Sequence, residues 1–252
     1  MSISSAVGTS HSLARCYNSD DQSKSSESDF LHKGRFGMLV YMSAILLING
    51  EQWTSLSSIT PQLTVYFNRT PQDINWFSNI FIIVISILAT PSVYFPKFIK
   101  IKYCLLIGGL LHAIGTLIKL MVSLFPFTSN ERFIACIIGT IFPSLSQAFI
   151  LNIPPYLSKV WFSKGQRNLT TSIAYGSNFL GIAIGFLFPN SLLSLTSYGL
   201  EFQTIIKILF GCEFGFSAIV FCSMIFVVIE KPKAPARTNQ TDPPESDQKN
   251  KK

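Results

Sequence analysis

Six long apolar runs constrain this chain more than any other feature. They lie at 36–56, 74–95, 103–125, 132–154, 170–195 and 204–229. A hydrocarbon core of roughly 30 Å takes about 20 apolar residues in a helix. Helices satisfy their own backbone polar groups, so they are the elements that such runs can form in lipid. Charged residues make up only 13% of the chain, about half the share found in soluble domains. A water-facing globular surface is therefore excluded. The expected fold class is an all-α membrane protein with six transmembrane helices, occupying 36–229. Residues 1–35 are rich in Ser, Asp and Lys and contain no apolar stretch of signal-peptide type. They, and the polar segment 230–252, are expected to be disordered cytoplasmic tails.

The charges between the runs are unequal. Before the first run lie Arg15, Lys24, Lys33 and Arg35. Lys97, Lys100 and Lys102 follow the second run, and Lys159, Lys164 and Arg167 follow the fourth. With those after the sixth run, 16 of the 20 basic residues fall on one side. The other side holds Arg69 and Arg132, with Lys119 and Lys207 read as lying near the matching helix ends. Basic loops stay in the cytoplasm, so both termini are expected there. The expected location is the plasma membrane, with an organellar membrane as the alternative. This placement accounts for the net charge of +7 without a nucleic-acid partner. Asn68-Arg69-Thr70 is a glycosylation sequon on the outward side, where Asn68 is usable. The sequons at Asn168 and Asn239 fall on the cytoplasmic side and are expected to be silent.

Polar side chains inside the runs carry the functional signal, because an unpaired polar group in lipid is expensive. The first run contains Asn49, Glu51, Gln52 and Trp53 within five positions. Asn49 and Trp53 share a helix face at i, i+4, and Gln52 borders it. Gln147 lies in the fourth run, Asn178 in the fifth, Glu213 in the sixth, and His112 in the third. Each has a plainer reading. Trp53 fits an interfacial aromatic belt; Asn49 or Gln52 fits interhelical hydrogen bonding; Glu213 fits a pair with Lys207 or the headgroups; His112 fits a structural role. Gly181 and Gly185 form a G-x-x-x-G pair whose plain reading is helix packing. The five cysteines show no metal-ligand spacing. No Ser/His/Asp, Gly-x-Ser-x-Gly or His-Glu-x-x-His set points to an enzyme, and no cofactor is expected.

The segments "INWFSNIFIIVISILATP", "SQAFILNIPPYLSKVWF", "TSIAYGSNFLGIAIGFLFP" and "IEKPKAP" resemble the amino-terminal half of the feline leukaemia virus subgroup C receptor-related (FLVCR) transporters. These belong to the major facilitator superfamily. The resemblance implies one half of a twelve-helix fold, built from two inverted three-helix repeats. It implies transport of choline or ethanolamine, with haem as the alternative substrate. It also implies a substrate site formed by Asn49, Gln52 and Trp53, with Trp53 as one wall of an aromatic cage. Gln147 matches a helix-four glutamine in the context Gln-x-Phe-Ile-Leu. Phe81 stands where the family has a tyrosine, and Glu51 departs from the family pattern. A six-helix chain is half of such a transporter. A fragment, a truncated non-transporting partner of a full-length relative, or a half that pairs with a second half are the expectations.

Overall fold

Local sequence sets where the helices begin. Thr70 opens one with a capping box: its Oγ1 accepts from the Asp73 backbone N–H at 3.3 Å, and Asp73 accepts from the Thr70 N–H at 3.1 Å. Thr128 and Glu131 repeat the device at 3.4 and 2.9 Å. Each box satisfies backbone donors that have no partner inside the helix. A computed structural model describes residues 34–227; the expected tails lie outside the described residues except for Gly34 and Arg35, which open the first helix. The described elements are helices: α1 Gly34–Thr54, α2 Thr60–Phe67, α3 Pro71–Ser92, α4 Phe95–Phe98, α5 Ile101–Leu124, α6 Ser129–Ile150, α7 Ile153–Trp161, α8 Arg167–Leu193 and α9 Phe202–Val227, with short 3-10 turns between some of them. No strand occurs among the described residues.

Five stretches are long and apolar enough to cross a membrane by length and composition: Pro71–Ser92, Ile101–Leu124, Ser129–Ile150, Lys164–Tyr198 and Phe202–Phe226. Helix α1 is also long, at 21 residues, but it is not among them. Its last two turns carry Asn49, Glu51 and Gln52, which dilute its apolar character. The fourth run ends earlier than its apolar sequence implies. Helix α6 stops at Ile150 and α7 restarts at Ile153, with proline in its first turn. Pro154 and Pro155 lack the N–H that would continue α6, yet suit the first turn of a new helix.

Four helices share one layered pattern. Met38, Leu39, Met42, Ile45, Leu46 and Ile48 of α1, Cys104 and Leu105 of α5, Ile150 of α6, and Val220 and Met224 of α9 belong to one apolar cluster. Leu56 just beyond α1, Val122 of α5, Cys136 of α6, and Ile206, Leu209 and Phe210 of α9 belong to a second. Between the two clusters the same helices bury polar side chains: Asn49 to Ser55, His112 to Lys119, Thr140 to Gln147, and Glu213 with Ser217. The second cluster is closed by aromatic rings. Phe67, Phe77 and Phe133 stand 5.7 to 5.9 Å apart, within the favourable range for ring pairs. The Arg69 and Arg132 guanidinium groups lie over Phe133 and Tyr66 at 5.2 and 5.4 Å.

Glycines set the closest helix pairings. At Gly181 an added Cβ would run into the Leu47 carbonyl oxygen, and at Gly50 into that of Asn178. At Gly185 it would come within 2.6 Å of the Glu51 carbonyl oxygen. Helices α1 and α8 therefore touch backbone to backbone, and Asn178 Nδ2 donates to the Leu46 carbonyl at 2.8 Å across the contact. Gly115 and Gly139 bring α5 and α6 together in the same way, and Ser146 Oγ donates to the Gly108 carbonyl at 2.9 Å. The packing reading of Gly181 and Gly185 is the one this geometry gives. Further pairings join α3 to α6, α9 to α5 and α9 to α1. Gly181→Ala is expected to lower stability by about 1–3 kcal/mol through overpacking. Gly176→Ala, on the same helix with nothing within 4 Å of its Cβ position, is expected to be neutral. Thermal unfolding of the two variants in detergent checks the contrast.

Candidate functional site

The polar residues of α1 do not share one environment. Asn49 is 1% exposed; its Nδ2 donates to the Pro143 carbonyl at 3.4 Å and lies 3.5 Å from His112 Nε2. His112 therefore has a neighbour across the interface, and Asn49 joins α1 to both α5 and α6.

Gln52 lies deeper in a charged cluster. Its Oε1 accepts from Lys119 Nζ at 2.7 Å, and its Nε2 donates to Glu51 Oε2 at 3.1 Å. Lys119 Nζ also lies 3.8 Å from Glu213 Oε2, with neither side chain open to solvent. Ser55 Oγ donates to the other oxygen of Glu213 at 2.9 Å. The Lys119 stem packs over Gly139, whose missing side chain leaves room for it. Charge and burial together explain why these groups meet. Each alone in hydrocarbon would cost several kcal/mol, and pairing with hydrogen-bonding neighbours offsets much of that.

This cluster changes two sequence readings. Lys119 is not at an outward helix end but wholly buried, so it drops out of the loop charges and sharpens their asymmetry. Glu213 pairs with Lys119, not with Lys207. The signal was present in the sequence: Lys119 stands five residues before the end of α5, and Glu213 near the middle of α9. Opposite charges inside two apolar helices need each other.

The remaining candidates line a different part of the bundle. Trp53 is half-buried, and its carbonyl accepts from Ser78 Oγ of α3 at 2.9 Å. Phe81 follows Ser78 by three residues, one turn along the same face of α3, and is 1% exposed. Gln147 on α6 is buried, and its Oε1 has no hydrogen-bond partner. Thus Asn49 and Gln52 tie α1 to the interior, Trp53 and Phe81 lie toward the α1–α3 contact, and Gln147 stands apart on α6. Asn68 is exposed and caps α2 in the left-handed conformation, at φ 51°, so its side chain lies at the surface. The four cysteines among the described residues are free thiols.

The sequence pattern of the Major Facilitator Superfamily matches residues 42–250. The chain belongs to the Major Facilitator Superfamily. Within it, this superfamily member is 28% identical over 212 residues to the choline/ethanolamine transporter FLVCR2 of Rattus norvegicus, covering 83% of this chain and 37% of the relative. It is 28% identical over 210 residues to the Homo sapiens choline/ethanolamine transporter FLVCR2, covering 82% and 38%. The Mus musculus choline/ethanolamine transporter FLVCR1 is 28% identical over 155 residues, covering 62% and 27%. The chain thus spans less than half the length of the curated relatives it matches.

Removing Lys119 leaves two buried carboxylates without a counter-charge. Lys119→Met is expected to destabilise the superfamily domain by about 3–5 kcal/mol. The double change Lys119→Met with Glu213→Leu is expected to recover most of that loss. A double-mutant cycle on detergent-solubilised protein checks the coupling.

Proposed function

We propose that this chain forms one six-helix half of a transporter that moves choline- or ethanolamine-type organic cations across a membrane. The observation that carries this reading is the similarity, over about four-fifths of the chain, to relatives named choline/ethanolamine transporters. In this reading α1, α3, α5, α6, α8 and α9 are the six spans, α1 included despite its polar end. The helix pairings support two inverted three-helix repeats. Exchanging the first three spans for the last three turns the α1–α8 contact into α6–α3 and α5–α6 into α9–α1; the α5–α9 contact maps onto itself. The basic loops before α1, between α3 and α5, between α6 and α8 and after α9 support a reading with both termini in the cytoplasm, in a plasma or organellar membrane.

The chemistry of the wall suits a cation. A trimethylammonium head has no N–H to donate, so it is held by an aromatic face, worth about 0.5–2 kcal/mol. Trp53 supplies that face, and Phe81, buried within this half, adds a second ring where α3 moves away from α1. Gln147 Oε1, buried and without a partner, is the acceptor for the ligand's hydroxyl or ammonium. Asn49 and Gln52 border this wall and fix α1 behind it. The rest of the cage belongs to a second half or a full-length relative. The domain is read as a transporter and not as an enzyme.

Radiolabelled choline uptake in cells expressing this chain, with and without a full-length relative, tests the reading. Trp53→Ala is expected to weaken choline affinity by about 1–2 kcal/mol, roughly five- to thirtyfold, and Trp53→Phe by less. Equal affinity in wild type, Trp53→Ala and Gln147→Ala would remove the choline reading and favour haem transport or a non-transporting partner role. Tags at both termini are expected to be detected only after the membrane is permeabilised. Asn68→Gln is expected to abolish a glycosidase-sensitive shift in gel mobility.

A further inference from the structure

We propose that the Glu51–Lys119–Glu213 cluster is a proton-binding site, holding one dissociable proton between its two carboxyl groups. The argument is one of charge and geometry. Two acids and one amine meet inside the bundle, all of them buried. Fully ionised, the cluster carries a net negative charge in a region of low dielectric, a state that costs several kcal/mol. One proton on a carboxylate oxygen makes it neutral. The hydrogen bonds leave room for that proton at a definite place. Glu51 Oε2 accepts from Gln52 and Glu213 Oε1 accepts from Ser55. Glu51 Oε1 and Glu213 Oε2 are buried and have no hydrogen-bond partner. Lys119 stands between the two acids: it bonds to Gln52, which holds Glu51, and lies 3.8 Å from Glu213 Oε2. Two buried acids that share a single counter-charge are the arrangement in which one carboxyl keeps its proton.

The surrounding elements offer no second acid or base that would take over this role. Helix α5 adds His112, which faces Asn49, and α6 adds the buried Cys136 thiol. Arg132, at the outer end of α6, lies over the Tyr66 ring. The titratable groups of α8 are Arg167 and Tyr175, which bond to the Lys159, Phe162 and Leu151 carbonyls at its other end. Asp73 of α3 is held in its capping box. On dissociation the proton leaves a carboxyl oxygen for water, and the cluster gains one negative charge. The contacts that tie α1 to α5 and α9 then change with it.

Infrared spectroscopy of the full chain in lipid bilayers reads this directly, whatever the substrate. At neutral pH the wild type is expected to show one protonated buried carboxyl, seen as a C=O stretch that shifts in D2O. Glu51→Gln and Glu213→Gln each leave one acid facing one amine, and the band is expected to vanish. Lys119→Met leaves two acids and no amine, and the band is expected to double. His112→Gln is expected to leave it unchanged. Absence of the band in wild-type protein near neutral pH overturns the proposal and needs no variant to fold. So does a band that keeps its intensity in both glutamine variants when circular dichroism shows them helical. Because no transport is measured, a negative choline result and a negative infrared result remain separate.

Discussion

Everything in the middle of this domain depends on an ammonium group that has no water to turn to. Lys119 is 0% exposed, and its charge is met by the Gln52 amide and the Glu213 carboxylate. Those partners come from helices far apart in sequence, so the pairing fixes which helices are neighbours and at what height. Apolar packing in lipid cannot do this alone, because lipid tails are as apolar as leucine. The two apolar clusters above and below the polar layer would tolerate small shifts along the helix axes. The hydrogen bonds from Lys119 to Gln52 and from Ser55 to Glu213 would not, since a displacement of one residue removes their partners.

The second source of order is the absence of side chains. Gly50, Gly181 and Gly185 let α1 and α8 meet at backbone distance, and Gly115 with Gly139 does the same for α5 and α6. Close approach increases dispersion contacts, which replace the hydrophobic drive that is missing between helices in a bilayer. Polar links across each pair, from Asn178 and Ser146, then set the register.

Much of this was legible in the sequence, and for identifiable reasons. The apolar runs marked the long helices because their length matches a membrane. The G-x-x-x-G pair marked a close contact because small residues have few other uses in lipid. The cluster in α1 was recognisable as important because amides and an acid are costly there. Its partners were harder to read. Lys119 lies near enough to a helix end to pass for an interfacial lysine, and nothing local says whether a long amine reaches outward or inward. Glu213 likewise needed a three-dimensional neighbour to be understood. The split between α6 and α7 was signalled by Pro154 and Pro155, but the surrounding apolar residues masked it. Trp53, Phe81 and Gln147 remain a proposed site because their role depends on a ligand and on a second wall.

The backbone contact between α1 and α8 has a mechanical consequence. Side chains that interdigitate can change rotamer and let two helices slide; carbonyl groups resting against Cα atoms cannot. The pair is a stiff lever with almost no play. A displacement of the charged end of α1, near Glu51, bears directly on α8 at Gly185. Any tilt of this helix pair is therefore taken up in the short connections at its ends and not within the pair itself.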